Sequence, residues 1–380
     1  MNITLHDNYT WMDFAPLTLT RPVGSLRMGI LTNEERWKLL LPKAEIGFAT
    51  EAFLQTKFPN IVGVEVNACV IPTPKLAKLV TALTENEGLL CPLGWIAKRG
   101  DGSIKIKCDA YPTFITQRWH LFQRNGDVLK QDFQLITEGR TSQALSNSNT
   151  VIGDRNLIFL EEGAKVEASI LNTNDGPIYI GKNAEIMEGS IVRGPLGMNE
   201  GSALKLGTKM YGPTTLGPHC KVGGEVNNCI FQGYSNKGHD GFLGNSLIGE
   251  WCNLGADTNT SNLKNNYGLV KTYSYRTKKE EQTDLQFMGL VMGDHSKCGI
   301  NTMFNTASVV GVSTNVFGAG FPSKHIASFQ WGMDGKNYDF DRAVESANNM
   351  MARRGLKLTD AEIDILHHIS DTSNGFSGNK

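Results

Sequence analysis

The stretch IGKNAEIMEGSIVRGPLGMNEGSALKLGTKMYGPTTLGPHCKVGG, residues 180–224, carries a six-residue period. Counting in sixes from Ile180 gives Ile186, Val192, Met198, Leu204, Met210, Leu216 and Val222, all aliphatic or Met. If about a third of residues would qualify at each step, such a run arises by chance roughly once in several thousand starting points. Gly often follows the aliphatic position, as in Ile180-Gly181, Leu216-Gly217 and Val222-Gly223. A six-residue period fits a coil of three short flat strands per turn, with aliphatics stacking inward and small residues at corners where backbones approach closely. The alternative is a β-sandwich. Its period-two strands would also place aliphatics two and four apart. The phase resumes, shifted, at Ile248-Gly249 and Leu254-Gly255, and again through Met292, Cys298, Phe304, Val310 and Val316. This predicts a left-handed parallel β-helix, with its open ends capped. The two phase breaks, between Val222 and Ile248 and between Leu254 and Met292, predict excursions, and loops on a rigid scaffold carry chemistry.

Composition sets the limits around that scaffold. At 380 residues the chain is long enough for two domains. Apolar content of 40% and charged content of 20% describe a folded globular chain. A net charge of −1 offers no global field for nucleic acid or an anionic bilayer, so neither is expected as a partner. No apolar run reaches the roughly 18 residues of a spanning helix, and the N-terminus lacks a basic, then apolar, signal pattern. Seven cysteines without a CxxC pair point to reduced thiols and a cytoplasmic setting rather than a disulfide frame or zinc site.

Residues 1–150 read as a mixed α/β domain. Ile46–Ala49 and Ile61–Val66 are expected strands, and Thr73–Leu83 an expected helix opened by Thr73-Pro74. Thr32 with Glu35 reads as a capping box opening a helix through Trp37 and Leu40. Arg21, Arg27 and Gly29–Thr32 read alternatively as an anion-binding segment. Residues 151–335 form the expected β-helix domain and 336–380 a helical cap and tail. In that tail, Phe340–Arg354 is an amphipathic helix stopped by Gly355, and a second begins at Thr359 with Glu362 completing a capping box. Ser370–Lys380 reads as a disordered end. His295 is expected at a surface corner, His367-His368 on a helix surface, and Lys278–Glu281 in a solvated loop.

The string GHDGFLGNSLIGEWCNLGADTNTSN, residues 238–262, resembles the acetyltransferase domain of bifunctional N-acetylglucosamine-1-phosphate uridylyltransferases. There, a Gly-His-Leu-Ser-Tyr-Leu-Gly-Asp run leads into Asn-Ile-Gly-Ala-Gly-Thr and then Asn-Tyr-Asp-Gly. The resemblance covers about 80 residues closely. It implies an acyl-CoA-dependent acyltransferase acting on an amino-sugar phosphate or nucleotide sugar, with acetyl-CoA as co-substrate and a homotrimer as the assembly. It implies His239 as the general base for the acceptor amine and Asn262 as its catalytic companion. Lys271, Tyr234 and Asn227 would contact substrate, and Asn253, Gly255 and Ala256 would line the acyl-CoA groove. Two departures stand: Phe242 replaces the Tyr, and Asn262-Leu263-Lys264-Asn265 replaces Asn-Tyr-Asp-Gly.

Near the start, Pro16-Leu17-Thr18-Leu19-Thr20-Arg21-Pro22 resembles sugar-1-phosphate nucleotidyltransferases. With Leu26-Arg27, Gly29–Thr32, Asp132-Phe133 and Gly139-Arg140, the layout is similar to a Bacteroidetes-type variant family with a shortened N-terminal domain. That resemblance implies Arg21 and Arg27 as substrate contacts, and Mg²⁺ if nucleotidyl transfer is retained. The Gly-rich phosphate loop is missing, however, Val23 stands for the expected Lys, and Asn67-Ala68-Cys69-Val70 carries no carboxylate where the metal motif falls. Three functions therefore compete: acyl transfer, nucleotidyl transfer alone or alongside it, and a β-helix scaffold without chemistry.

Overall fold

A computed structural model describes residues 1–109 and 111–374. The chain divides into two compact units, one of Met1–Leu26 with Leu31–His120, the other of Arg27–Ile30 with everything from Leu121 onward.

The first unit is built on a six-stranded mixed sheet. Strand β1 (Ile3–His6) runs parallel to β2 (Ile46–Ala49) and β3 (Val64–Asn67). Beyond β3 come β5 (Gly94–Lys98), β4 (Glu87–Cys91) and β6 (Ile104–Lys107), so the order is β2-β1-β3-β5-β4-β6. Burial of Ile3, Leu5, Val64, Val66 and Ile96 makes this sheet the core of the unit. Helix α1 (Asn33–Leu40) opens with the expected capping box: the Glu35 amide donates to Thr32 Oγ1 at 3.1 Å and the Thr32 amide to Glu35 Oε2 at 2.8 Å. Helix α2 (Pro74–Thr81) is capped by Thr73, which accepts from the Leu76 amide, and buries Leu76, Ala77 and Val80.

The second unit contains the expected parallel β-helix. Among the described residues, two faces hold stacks of nine parallel strands, the second extended by one antiparallel strand, and the third face holds six followed by a further parallel pair. On the first, Ile180, Met198, Leu216, Phe231, Ile248, Met292, Val310 and Ile326 lie in one inward row. Burying each such side chain contributes about 1.5–3 kcal/mol. Together with the inward rows of the other faces they form one continuous core. The helix also begins earlier than the six-residue phase, since Ile158–Leu160 pairs with Ile178–Ile180.

The first phase break is not an excursion. The inward row advances eighteen residues from Met198 to Leu216, fifteen to Phe231 and seventeen to Ile248. The chain stays on the coil and drops residues at the corners, with Val226, Phe231 and Leu243 still inward and fully buried. Strand pairing constrains only the residues inside the flat segments, so a corner can shorten and leave the stack intact. The second break is a true excursion: Ile248 pairs next with Met292, and the intervening chain forms a hairpin of Lys271–Ser274 against Lys279–Gln282. Lys279–Glu281 therefore lie on an exposed strand of that hairpin rather than in an irregular loop.

His295 does sit at a corner (φ 60°), but it is only 9% exposed, so the surface expectation is corrected. Burial holds its imidazole down at about 4.

Between the short α3 (His120–Gln123) and the coil runs α4 (Asn125–Thr137). It packs with Arg27–Ile30 on the outside of the first face. Asp132 Oδ2 accepts the Ile30 amide at 2.7 Å, Asn125 Oδ1 the Gly29 amide at 2.7 Å, and Thr215 Oγ1 donates to Gly29 O at 2.6 Å. After the last coil, α5 (Phe340–Ala352) buries Ala343, Ala347 and Met351 at four-residue spacing. Helix α6 (Asp360–Asn374) follows the expected capping box, with Glu362 Oε2 accepting the Thr359 amide at 2.8 Å and the Glu362 amide donating to Thr359 Oγ1 at 3.3 Å. It buries Ile365, Leu366 and Ile369, so residues 370–374, read as part of a disordered end, are helical. Residues 375–380 of that expected end lie outside the described residues. His367 and His368 are exposed, His367 bonding Asp371 one turn on at 3.0 Å. Among the described residues no helix is long and apolar enough to cross a membrane.

Candidate functional site

The second face of the coil forms the floor of a groove of about 480 Å³. Its rows stack Lys221 on Asn236 on Asn253, with Gly238, Gly255 and Ala256 continuing the floor. Glycine is required at position 255, where a Cβ would stand 2.5 Å from the Gly299 carbonyl carbon and oxygen. His239 leaves this floor at the corner that follows Asn236-Lys237 and is exposed to the groove. Five residues singled out from sequence, His239, Tyr234, Asn253, Gly255 and Ala256, thus line one groove.

One edge of the groove is an aromatic ladder. His219, Tyr234 and Trp251 occupy equivalent corners on successive coils, each at positive φ (57°, 53° and 58°). The Tyr234 ring lies 5.2 Å from His219 and 4.2 Å from Trp251, nearly parallel to the latter at 13°. Stacking offsets the cost of left-handed backbone at non-glycine residues.

Helix α5 also lines the groove, contributing Met350 and, just past its end, Arg353 and Arg354. Arg354 Nη2 donates to His219 O at 3.2 Å. With Lys205 and Lys221 on the floor, four cations border the groove. Their crowding is felt locally: burial, then Arg354, Lys205 and Arg353, hold the Lys221 ammonium below its ordinary value. Burial and Arg354 do the same to His219, with Glu200 opposing. Like charges held together in a concave site favour an anionic ligand. Sequence reasoning missed Lys205, Lys221, Trp251, Arg353 and Arg354. The Arg353-Arg354 pair was visible before Gly355, but nothing local says which surface a C-terminal helix will cover.

The remaining residues lie elsewhere. Asn262 and Asn227 sit on the third face, in a ladder of asparagines: Asn262 Nδ2 donates to Asn245 Oδ1 at 2.7 Å, and the Asn245 amide to Asn227 O at 2.9 Å. Lys271 is exposed on the hairpin, its carbonyl accepting from Lys324 Nζ at 2.7 Å. Arg27 is buried, with Nη1 donating to Ile30 O at 2.7 Å and its backbone clasped by the Gln232 amide group. Arg21 is buried in the first unit at 7% exposure.

In the first unit, Asp7 follows β1, where a phosphate loop would stand. Its carboxylate accepts the Val23 amide at 2.9 Å and the Thr50 hydroxyl at 2.6 Å, and burial pushes it up to about 7. Asn67, at the position of the metal motif, is committed internally: its amide donates to Trp95 O at 3.1 Å and accepts from the Cys69 amide at 3.0 Å. Among the described residues no group of three His, Cys, Asp or Glu could hold a metal ion, Asn67 brings no carboxylate, and that of Asp7 is taken up by Val23 and Thr50. These residues do not fit Mg²⁺.

Residues 3–141 match the family model described as sugar nucleotidyl transferase. Over 87 residues the chain is 34% identical to a bifunctional protein GlmU of Methanocaldococcus jannaschii, covering 23% of this chain and 21% of that protein. Over 152 residues it is 26% identical to a bifunctional protein GlmU of Trichodesmium erythraeum, covering 39% and 27%. The matches therefore span about a fifth to a quarter of the curated relatives' length. A solved hexapeptide transferase family protein of Anaplasma phagocytophilum is similar at 16% identity over 60% of this chain and 92% of that one, with a TM-score of 0.16.

Proposed function

We propose that this chain is an acyl-CoA-dependent acyltransferase whose acceptor is an amino-sugar phosphate or nucleotide sugar. The observation that carries the reading is the groove in which exposed His239 faces a glycine-bearing floor bordered by Lys205, Lys221, Arg353 and Arg354. Similarity to proteins named bifunctional GlmU supports the same class.

His239 is the general base in this reading. Its imidazole takes a proton from the acceptor amine as the nitrogen attacks the thioester carbonyl, then returns it to the departing thiolate. The floor, with Asn253, Gly255 and Ala256, accommodates the extended acyl donor. The four cations receive phosphate, from the donor or the sugar. Tyr234 forms part of the apolar edge. Asn262, Asn227 and Lys271, which lie away from this groove in the single chain, would contribute only where a partner's surface meets it. That is one reason to propose a homotrimer, which light scattering would test.

His239→Ala is expected to lower acetyl transfer at least a hundredfold with the circular dichroism and melting temperature unchanged. Undiminished turnover would remove the assignment. Nucleotidyl transfer is the second reading, favoured by the family match over residues 3–141. It predicts pyrophosphate release from a nucleoside triphosphate and a hexose-1-phosphate. The internally bonded Asn67 and Asp7 weigh against it.

A further inference from the structure

One inward position of the coil carries a charge. On the second face the row runs Val166, Ile186, Leu204 and Val222, and the residue paired with Val222 on the next coil is Lys237. It is 1% exposed. A lysine there forfeits the burial an aliphatic would contribute and loses the hydration of its ammonium, so its retention calls for a reason beyond packing.

The three ammonium hydrogens have three acceptors. Lys237 Nζ donates to His239 O at 2.7 Å, Asp240 O at 3.1 Å and Gly223 O at 3.2 Å. Two of these carbonyls belong to the corner that bears His239, and the third to the preceding coil. The coil from Val222 to Lys237 is one of the shortened ones, so the corner is pulled tight. A Cβ on Gly224 would meet His239 O and Asp240 Cα at 2.9 Å. Glu225 N to Gly241 O (3.1 Å) and Asp257 N to Asp240 O (3.1 Å) hold its far side.

We propose that Lys237 is a positioning residue, whose buried ammonium ties the carbonyls of His239 and Asp240 to Gly223 and so fixes the main chain that presents His239 to the groove. This rests on the reading of His239 as the base. The charged and titratable groups facing the ammonium are Asp240 and Asp257, which favour its charged form, and the thiols of Cys229 and Cys298. Burial pushes both thiols up, Cys229 to about 12, so they stay neutral at working pH. Burial brings Lys237 itself down to about 8. The tie therefore loses its charge just above neutrality and keeps two N–H donors.

The test compares the unaltered protein with Lys237→Met and Lys237→Gln. Met already fills inward positions at 198, 210 and 292, and Gln keeps a donor without the charge. For Lys237→Met we expect exchange of the Glu225 and Asp257 amides, which bond Gly241 O and Asp240 O, to rise tenfold or more while residues 186–204 are unchanged. Acetyl-transfer kcat should fall ten- to a hundredfold with KM for acetyl-CoA within threefold. Lys237→Gln should recover part of kcat, and its activity should not change through pH 8 as that of the unaltered protein does. Unchanged exchange at Glu225 and Asp257 overturns the proposal, and so does faster exchange with undiminished kcat. If Lys237→Met does not fold, Lys237→Gln carries the same readouts. Full turnover in His239→Ala would instead sink the acyltransfer reading and leave the exchange result standing, so the two failures are distinguishable.

Discussion

Replacing Arg353 and Arg354 with Ala separates what the groove's cations do for a ligand from what they do for the fold. In the free protein three small terms nearly cancel. Removing the arginines relieves the crowding around Lys221, on the order of 0.5 kcal/mol per exposed pair after solvent screening. It gives up cations at the C-terminus of α5, worth about 0.3–1 kcal/mol against the helix dipole. It also deletes the 3.2 Å bond from Arg354 to His219 O, about 1 kcal/mol. The melting temperature should therefore move by only a few degrees. Binding has no such cancellation. A charge-assisted hydrogen bond contributes about 1.5–3 kcal/mol, and an open groove takes the lower end. Two arginines then supply about 3 kcal/mol, roughly 140-fold in Kd. Titration calorimetry with acetyl-CoA, and separately with inorganic pyrophosphate, at low and moderate salt should show that loss together with a weaker salt dependence. A double variant that binds both within threefold of the unaltered protein would refute the anionic-ligand reasoning.

His295 gives a pH signature. Its folded value of about 4 lies below the ordinary 6.5, so between those limits the unfolded chain binds the proton more readily and stability rises with pH. The contribution approaches about 3 kcal/mol by pH 7 and disappears as pH falls through 4. Asp7, raised to about 7, has the opposite slope between about 4 and 7, so the two partly offset in the unaltered chain. His295→Asn, which keeps a residue tolerant of positive φ, should remove the rising part; urea midpoints that vary identically from pH 4.5 to 7 would count against it. Gly255→Ala should cost about 1–3 kcal/mol, because the added Cβ meets backbone rather than a movable side chain. An unshifted melting temperature would mean the floor relaxes freely.

Some of the site was legible in sequence because its signal is local. The run from Gly238 to Asn262 carries His239 and the Asn253-Leu254-Gly255-Ala256 floor close together in sequence, and one coil brings them into one groove. The same locality misled at the first phase break. Losing residues at corners shifts a count in sixes without moving the inward stack, so Val222 to Ile248 read as an excursion although Phe231 and Leu243 stayed buried.

By itself, the sequence determined the β-helix, the capping boxes at Thr32 and Thr359 and the amphipathic helix α5. Each depends on side chains a few residues apart, whose spacing the backbone converts directly into a face or a cap. Only the tertiary structure decided that α5 brings Arg353 and Arg354 to Lys205 and Lys221, across some 130 residues of chain. It likewise decided that Lys237 points into the core to hold the His239 corner, and that Asn262 joins an asparagine ladder on another face. Those outcomes depend on which surfaces meet, and periodicity along a chain carries no record of that.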